Sequence, residues 1–481
     1  MNRQITHLFL LFALMFAVLV GYSSWWSVIR ADELEENTAN RRPLLEEQRI
    51  PRGIIYASDG RTKLAESVPV GSDGARRFVR SYPEGSLFSH AIGYSFVERG
   101  RSGLEKSRND ELVGRTDEFN TLVEEITGGT AKEGDDVRTT LDPEAQRTAL
   151  AALAGRPGSI VALEPQTGRV RVMASLPDFD PNDVPGSYSE LNRQEGSPIF
   201  NRATQARYPP GSTFKVVTAA AALDSGEFTP DSVLDGNTGK TISGVPLENF
   251  GGQDFGPTTL TDALTNSVNT VWAQVGEQLG KDTMFDYMER FGFNDEPPID
   301  YPPEQLTASG EFAGNDLLGP KDDTVDVGRM AIGQDKLQVT PLQMAMVAGA
   351  VANDGRLMKP RLIERVVSRD GRVQDRVDPA EAAQVMKPES ARALGAMMAR
   401  VVEEGSGTAA ALAGTPVAGK TGTAEVQSGA ANQPWFIAFA PIEDPQIAVA
   451  VTLESRPPDE TGGQAAAPLA KQVIEQVLSG G

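Results

Sequence analysis

The sequence predicts an α+β fold on three observations: strand-like runs at both ends of the long C-terminal region, helix-like apolar segments between them, and an uncharged apolar stretch at the N-terminus. The first strands are 159–163 and 169–174. They flank Glu164-Pro-Gln-Thr-Gly168, a hairpin signature. Three more strand-like runs follow near the C-terminus, at 416–426, 435–440 and 446–453, and a terminal helix covers about 465–478. Strands at both ends with helices between them suggest one antiparallel sheet joining early and late chain, covered by helices, over residues 155–481.

The N-terminal stretch, 8–29, carries no charge and is mostly Leu, Phe, Ala, Val and Met, with Tyr22, Trp25 and Trp26 near its far end. Its length matches the roughly 20 residues that span a bilayer, and the aromatics suit an interfacial belt. A cleavable signal is the alternative, but the apolar region is long and no clear A-x-A site follows it. Arg3 precedes the span, whereas Asp32, Glu33, Glu35 and Glu36 come after Arg30. The expected arrangement is therefore a cytoplasmic tail (1–7), a single-pass anchor (8–29) and an external body.

Residues 30–154 read as a small mixed pedestal domain of extended pieces. Pro51-Arg52-Gly53-Ile54-Ile55-Tyr56 followed by Ser58-Asp59-Gly60-Arg61 is a short strand and tight turn. Ser102-Gly103-Leu104-Glu105 opens another short unit. Arg138-Thr139-Thr140-Leu141 leads into a helix with Asp142 as N-cap and Pro143 at its first position. Nothing here looks catalytic, and His90 reads as structural or surface because no partner cluster surrounds it.

Composition removes several function classes. With a net charge of −21 and no standout basic patch, nucleic acid is not an expected partner. The acidity itself reads as solubility. Without cysteine there are no disulfides, zinc–thiolate sites or cysteine nucleophiles. Two histidines, His7 and His90, cannot build a multi-histidine metal centre, so neither metal nor cofactor is expected. Nucleophilic chemistry in this chain most naturally takes lysine as its base.

Tyr208-Pro-Pro-Gly-Ser-Thr-Phe-Lys215 supplies such a lysine. The prolines and glycine set a sharp turn, and the Ala-rich run 216–223 is a buried helix ended by Asp224-Ser225-Gly226. Ser212 and Lys215 share a helix face at i and i+3, so the amine can reach the hydroxyl at a helix N-terminus. Alone, the same pattern also describes a surface cap with a solvated lysine. Thr265-Asn266-Ser267-Val268-Asn269-Thr270 lies between helix-like runs at 260–264 and 271–279, and alone it reads equally as an interhelical turn. Ala418-Gly419-Lys420-Thr421-Gly422-Thr423-Ala424-Glu425 is a strand whose small residues admit close approach by another backbone, or a bulge with a surface lysine.

Together, Ser212/Lys215, Ser267/Asn269 and Lys420/Thr421/Gly422 match, in order, the S-x-x-K, S-x-N and K-T-G signature of penicillin-binding proteins and β-lactamases. The chain resembles a penicillin-binding protein. Arg52-Gly53, Gly103-Leu104-Glu105, Asp178-Phe-Asp-Pro-Asn182, Ala331-Ile-Gly-Gln334 and Thr340-Pro-Leu-Gln-Met344 resemble the monofunctional class B branch. Leu247-Glu-Asn-Phe-Gly-Gly252 and the short pedestal look most like the actinobacterial penicillin-binding protein A type. The span 30–154 looks too short for the glycosyltransferase domain of bifunctional members.

This resemblance implies a five-stranded antiparallel sheet with helices on both faces, and a D,D-transpeptidase that cross-links peptidoglycan stem peptides and is acylated by β-lactams. It implies Ser212 as nucleophile, Lys215 as base, and Ser267 and Asn269 as proton relay and peptide-amide contacts. Lys420, Thr421 and Thr423 would bind the terminal carboxylate, with Gly422 between them, and the backbone N–H groups of Ser212 and Thr423 would form an oxyanion hole. Val268 stands where many β-lactamases have Asp, but only its neighbours are implied to touch substrate. Other cell-wall membrane proteins, a glycosyltransferase among them, are the implied partners at the cell membrane. A D,D-carboxypeptidase, a β-lactamase and a β-lactam-binding scaffold are the alternatives that share this signature.

Overall fold

The computed structural model describes residues 2–26, 30, 45, 47–72, 76–114, 133–426 and 431–480. Its centre is the expected antiparallel sheet, five strands in the order Ala418–Val426, Ala431–Ala440, Ile447–Leu453, Gly158–Leu163 and Val170–Leu176. Strands from both ends of the domain meet where Ile447–Leu453 pairs with Gly158–Leu163, Ala450 opposite Val161.

Side chains alternate across a strand, so one sheet feeds two cores. Ile160, Ala162, Val449 and Val451 pack with the helices Pro143–Leu153 and Ala467–Ser479. Val161, Leu163, Ala448 and Ala450 face the opposite core, which includes the apolar helix Pro341–Ala352. Because both faces are covered, the strands read as unbroken apolar runs rather than alternating ones. Burying a side chain such as Phe436 or Ile437, each at 0% exposure, contributes about 1.5–3 kcal/mol.

The pedestal is less separate than the sequence suggests. Its six-stranded sheet contains Ile55–Tyr56, Lys63–Val70, Arg77–Ser81 and Asp136–Thr139, but also Ile363–Val367 and Val373–Arg376 from the later chain. Conversely, the helix Pro143–Leu153, capped by Asp142 as expected, packs on the central sheet while Gln146 Nε2 also donates to Leu87 O of the pedestal at 2.9 Å. A division at 154/155 therefore cuts across both packing units, because strand pairing and helix docking do not follow chain order. Residues 115–132 of the expected pedestal lie outside the described residues.

A buried ion network holds the pedestal. Glu105, at 0% exposure, accepts from Arg52 Nη2 at 2.8 Å and pairs with Arg80 Nε through its other oxygen. Arg80 Nη1 donates on to Gly53 O at 2.8 Å. Burial pushes the Glu105 carboxyl up, but the Arg80 and Arg52 charges outweigh it and hold the group below its ordinary value. Its stabilising contribution is thus present above the ordinary carboxylate pKa and is lost as pH falls through the lowered one. Glu105→Ala, which leaves Arg80 without a carboxylate and Arg52 with only Glu47 at 3.5 Å, is expected to cost about 3–5 kcal/mol in urea denaturation.

His90 is structural, in agreement with the sequence reading. It is buried, its Nε2 lies 2.8 Å from Pro198 O, and burial lowers its pKa to about 4, so the ring is neutral.

Two helices differ from expectation. The N-terminal helix runs Asn2–Ser24, starting before residue 8 and taking in His7. Its part Arg3–Ser24 is long and apolar enough to cross a membrane. At 1.5 Å per residue it exceeds the roughly 30 Å hydrocarbon core. Residues 27–29 of the expected span, and Asp32, Glu33, Glu35 and Glu36, lie outside the described residues. The expected helix at 465–478 is two helices, Gly462–Ala465 with a Thr461/Gln464 capping box and Ala467–Ser479, which restarts with Pro468 in its first turn. A proline there sacrifices no helical bond, so the chain turns and begins again.

Candidate active site

Ser212 does not lie in the α-helix proper. It sits in a separate 3₁₀ turn, Gly211–Phe214, and the α-helix begins at Lys215 and ends at Ser225 with Gly226 as left-handed cap. The tight turn stacks i on i+3, so Ser212 and Lys215 still share one face. Trp435 Nε1 donates to Pro209 O at 3.0 Å, and the Tyr208 N–H donates to Val339 O at 2.9 Å. The Tyr208 hydroxyl and Arg202 Nε both bond to Glu454, just beyond a central strand, so the turn is anchored to the sheet from two sides.

Gly211 is required by geometry. Its φ is +53°, its N–H donates to Gly333 O at 3.0 Å, and a Cβ would lie 2.9 Å from the Thr423 carbonyl. Gly211→Ala is expected to displace the Ser212 turn and slow β-lactam acylation about 100-fold, the cost of a misplacement near 1 Å, measurable by stopped-flow labelling.

The amine of Lys215 is held by the second motif. Lys215 is fully buried, and its Nζ donates to Ser267 O at 2.8 Å, Asn269 Oδ1 at 2.7 Å and Ser267 Oγ at 3.3 Å. No hydrogen bond joins it to the Ser212 hydroxyl among the described residues, so the contact expected from i,i+3 spacing is not formed in this state. The reason is backbone geometry. Ser267 sits at φ +60° between the helices Leu260–Thr265 and Asn269–Arg290, and its carbonyl and hydroxyl both meet the amine.

Lys420 completes the group. Its Nζ donates to the same Ser267 Oγ at 3.0 Å and to Thr421 O at 3.1 Å, and it too is fully buried. Two amines on one hydroxyl lie within about 6 Å, where like charges repel by roughly 3 kcal/mol at an effective dielectric of about 20. Burial and then the Lys420 charge hold Lys215 well below its ordinary value, while burial lowers Lys420 to about 7.

The third motif lies on the edge strand Ala418–Val426, beside the Ser212 turn. The sequence reads the small residues there as admitting close approach by another backbone; the structure shows which backbone comes first. A Cβ on Gly422 would fall 2.7 Å from Pro210 O and 3.1 Å from Thr213 N, so the glycine admits the Ser212 turn itself. Thr423 pairs with Pro434, whose carbonyl accepts from Thr452 on the far side. The Thr423 N–H and C=O therefore face the open edge. The Thr421 hydroxyl bonds to Ser406 at 2.6 Å and that of Thr423 accepts from the Gly462 N–H at 3.0 Å. All eight residues singled out from the sequence thus converge on one cleft.

The model of the penicillin binding protein transpeptidase domain matches residues 158–475, and that of the penicillin binding protein A dimerisation domain matches 52–137. The chain belongs to the penicillin-binding protein family. This penicillin-binding protein is 34% identical, over the full length of both chains, to the peptidoglycan D,D-transpeptidase PbpA of Mycolicibacterium smegmatis, and 32% identical, again over both full lengths, to PbpA of Mycobacterium tuberculosis. Its fold superposes with a TM-score of 0.81 on penicillin-binding protein A from M. tuberculosis in a ceftriaxone acyl-enzyme complex, at 32% identity over 90% of this chain and 100% of that one. The D,D-transpeptidase domain of a peptidoglycan glycosyltransferase from Eggerthella lenta gives 0.77 at 34% identity, over 90% and 99%. The class B, penicillin-binding protein A resemblance read from the motifs agrees with these relatives.

Sequence reasoning passed over Asn249, Gly333 and Trp435 as parts of the site. Asn249 and Gly333 lay inside stretches already noted for resemblance, Leu247-Glu-Asn-Phe-Gly-Gly252 and Ala331-Ile-Gly-Gln334, and carried no chemical signal of their own. Trp435, first residue of an expected strand, showed nothing of its bond to Pro209.

Proposed function

We propose that this chain is a peptidoglycan D,D-transpeptidase working through a serine acyl-enzyme. Ser212 Oγ attacks the carbonyl carbon of a D-Ala-D-Ala terminus and passes its proton to Lys215 Nζ, which burial keeps able to be neutral. The oxyanion is received by the Ser212 and Thr423 N–H groups. The amide C–N bond breaks, and the departing D-Ala nitrogen takes a proton through Ser267. An amine of a second stem peptide then attacks the ester, transfers its proton back through the same groups and releases Ser212. Lys420, Thr421 and Thr423 hold the terminal carboxylate, Asn269 holds the peptide amide, and Gly422 lets the strand lie close. β-Lactams enter by the same attack and stay as the acyl group.

One observation carries this reading: the buried amine of Lys215, three residues after Ser212, and the Lys420 amine meet at a single hydroxyl, Ser267 Oγ. The division into tail 1–7, anchor 8–29, pedestal 30–154 and transpeptidase domain 155–481 is retained as a reading, with the two packing exchanges described above as amendments. In it the body lies outside the membrane, beside other cell-wall membrane proteins that include a glycosyltransferase. The test is the full chain in detergent with a D-Ala-D-Ala peptide and an amine acceptor. Cross-linked product with free D-Ala is expected; hydrolysis alone would make it a carboxypeptidase, and rapid β-lactam turnover a β-lactamase.

A further inference from the structure

The helix that begins at Asn269 has no cap of its own, because Val268 precedes it and offers no side-chain oxygen. The first N–H groups of such a helix need acceptors from elsewhere. Asn249 provides one across 21 residues. Its Oδ1 accepts from the Thr270 N–H at 3.0 Å and from the Thr270 hydroxyl at 3.2 Å. Its Nδ2 donates to Gly236 O at 2.8 Å and Gln253 O at 3.0 Å, and its own N–H donates to Thr238 Oγ1 at 3.0 Å. Asn249 is buried, and its amide oxygen and both amide hydrogens are engaged. The next link touches the site directly. The carbonyl of Glu248, one residue earlier, accepts from Asn269 Nδ2 at 3.1 Å. With its nitrogen so engaged, the Asn269 amide turns its oxygen to Lys215 Nζ at 2.7 Å.

We infer that Asn249 is a positioning residue for acylation: by capping the Asn269 helix from outside and fixing the Glu248 carbonyl, it sets the direction of the amide that holds the Lys215 amine. This rests on the transpeptidase reading and adds to it a residue outside the three motifs. The loop's role is geometric and is transmitted through one side chain, so its loss and the loss of Asn269 overlap.

The experiment is a double-mutant cycle on the full chain, with Asn249→Ala and Asn269→Ala alone and combined, reading the rate of covalent labelling by a fluorescent penicillin. Each single change is expected to slow labelling roughly 10- to 100-fold, as displacement of a positioned group does. In the Asn269→Ala background, Asn249→Ala is expected to add no more than about a 2-fold loss. A purely architectural role would instead multiply the two losses, and multiplied losses overturn the inference. So does a wild-type rate in Asn249→Ala. If that variant does not melt cooperatively, Asn249→Asp takes its place with the same expected overlap, since it keeps the acceptor for Thr270 and loses the donors to Gly236 and Gln253. Wild type that takes no label removes the underlying function; labelled wild type with multiplied losses removes only the role of Asn249.

Discussion

Ser212→Ala is expected to take up no penicillin label, while the wild-type chain is expected to label covalently at one residue. The expected loss is the largest any single change here can give, roughly 10⁶-fold when a catalytic serine is removed. The change deletes one half-buried oxygen that makes no hydrogen bond to Lys215, so it leaves the core untouched. The thermal midpoint should stay within a few degrees of wild type, which separates a lost nucleophile from a lost fold. Mass spectrometry of the intact chain after incubation with penicillin reads the label, and a thermal melt reads the fold. Undiminished labelling of the mutant would overturn the assignment, because the acylated atom would then have to belong to another residue.

The second large effect concerns the two lysines and is sharpest as a function of pH. Lys215→Ala is expected to slow acylation by about 10²–10⁴, the usual worth of a general base. In the wild type the base must be neutral, so acylation rises as pH increases through the Lys215 pKa. Burial and the Lys420 charge place that rise well below the ordinary lysine value. In the proposed mechanism Lys420 serves in the opposite sense, since its charged form would bind the carboxylate. In the free protein its pKa is about 7, so capture of a carboxylate-bearing ligand weakens as pH climbs past that value. Lys420→Met removes the repulsion on Lys215 and should move the rising limb to higher pH, while also weakening substrate binding. A rising limb that stays in place, measured as second-order labelling rate against pH, would show that the two amines are not coupled.

These expectations depend on how the cleft divides its labour. Ser267 Oγ meets both amines, and under the proposed mechanism this would give a proton a single short path between the attacking and leaving sides. Keeping two amines buried side by side works against stability, since burial and mutual repulsion both disfavour their charged forms. The site tolerates this because Ser267 O, Ser267 Oγ and Asn269 Oδ1 occupy the donors of Lys215, while Ser267 Oγ and Thr421 O take those of Lys420.

Much of this was legible in the residues themselves. Strand and helix periodicity announced the α+β body, Asp142-Pro143 marked a helix start that the structure contains, and the absence of cysteine with only two histidines left lysine as the natural base. The three motifs pointed to Ser212, Lys215, Ser267, Asn269, Lys420, Thr421 and Gly422, with Thr423 beside them, because each motif pairs reactive groups at a short fixed spacing that can be read locally. Long-range partnership was not legible. Whether Lys215 faces Ser212 or Ser267 turns on a left-handed serine 52 residues away. Gly422 serves a turn more than 200 residues earlier, and Asn249 caps a helix it does not belong to. Strands at 363–376 complete a sheet begun at residue 55. The physical reason is common to all four. Local sequence sets backbone preference and hydrophobic period, whereas the partner of a buried polar group or an unpaired strand edge is chosen only when distant segments are packed together.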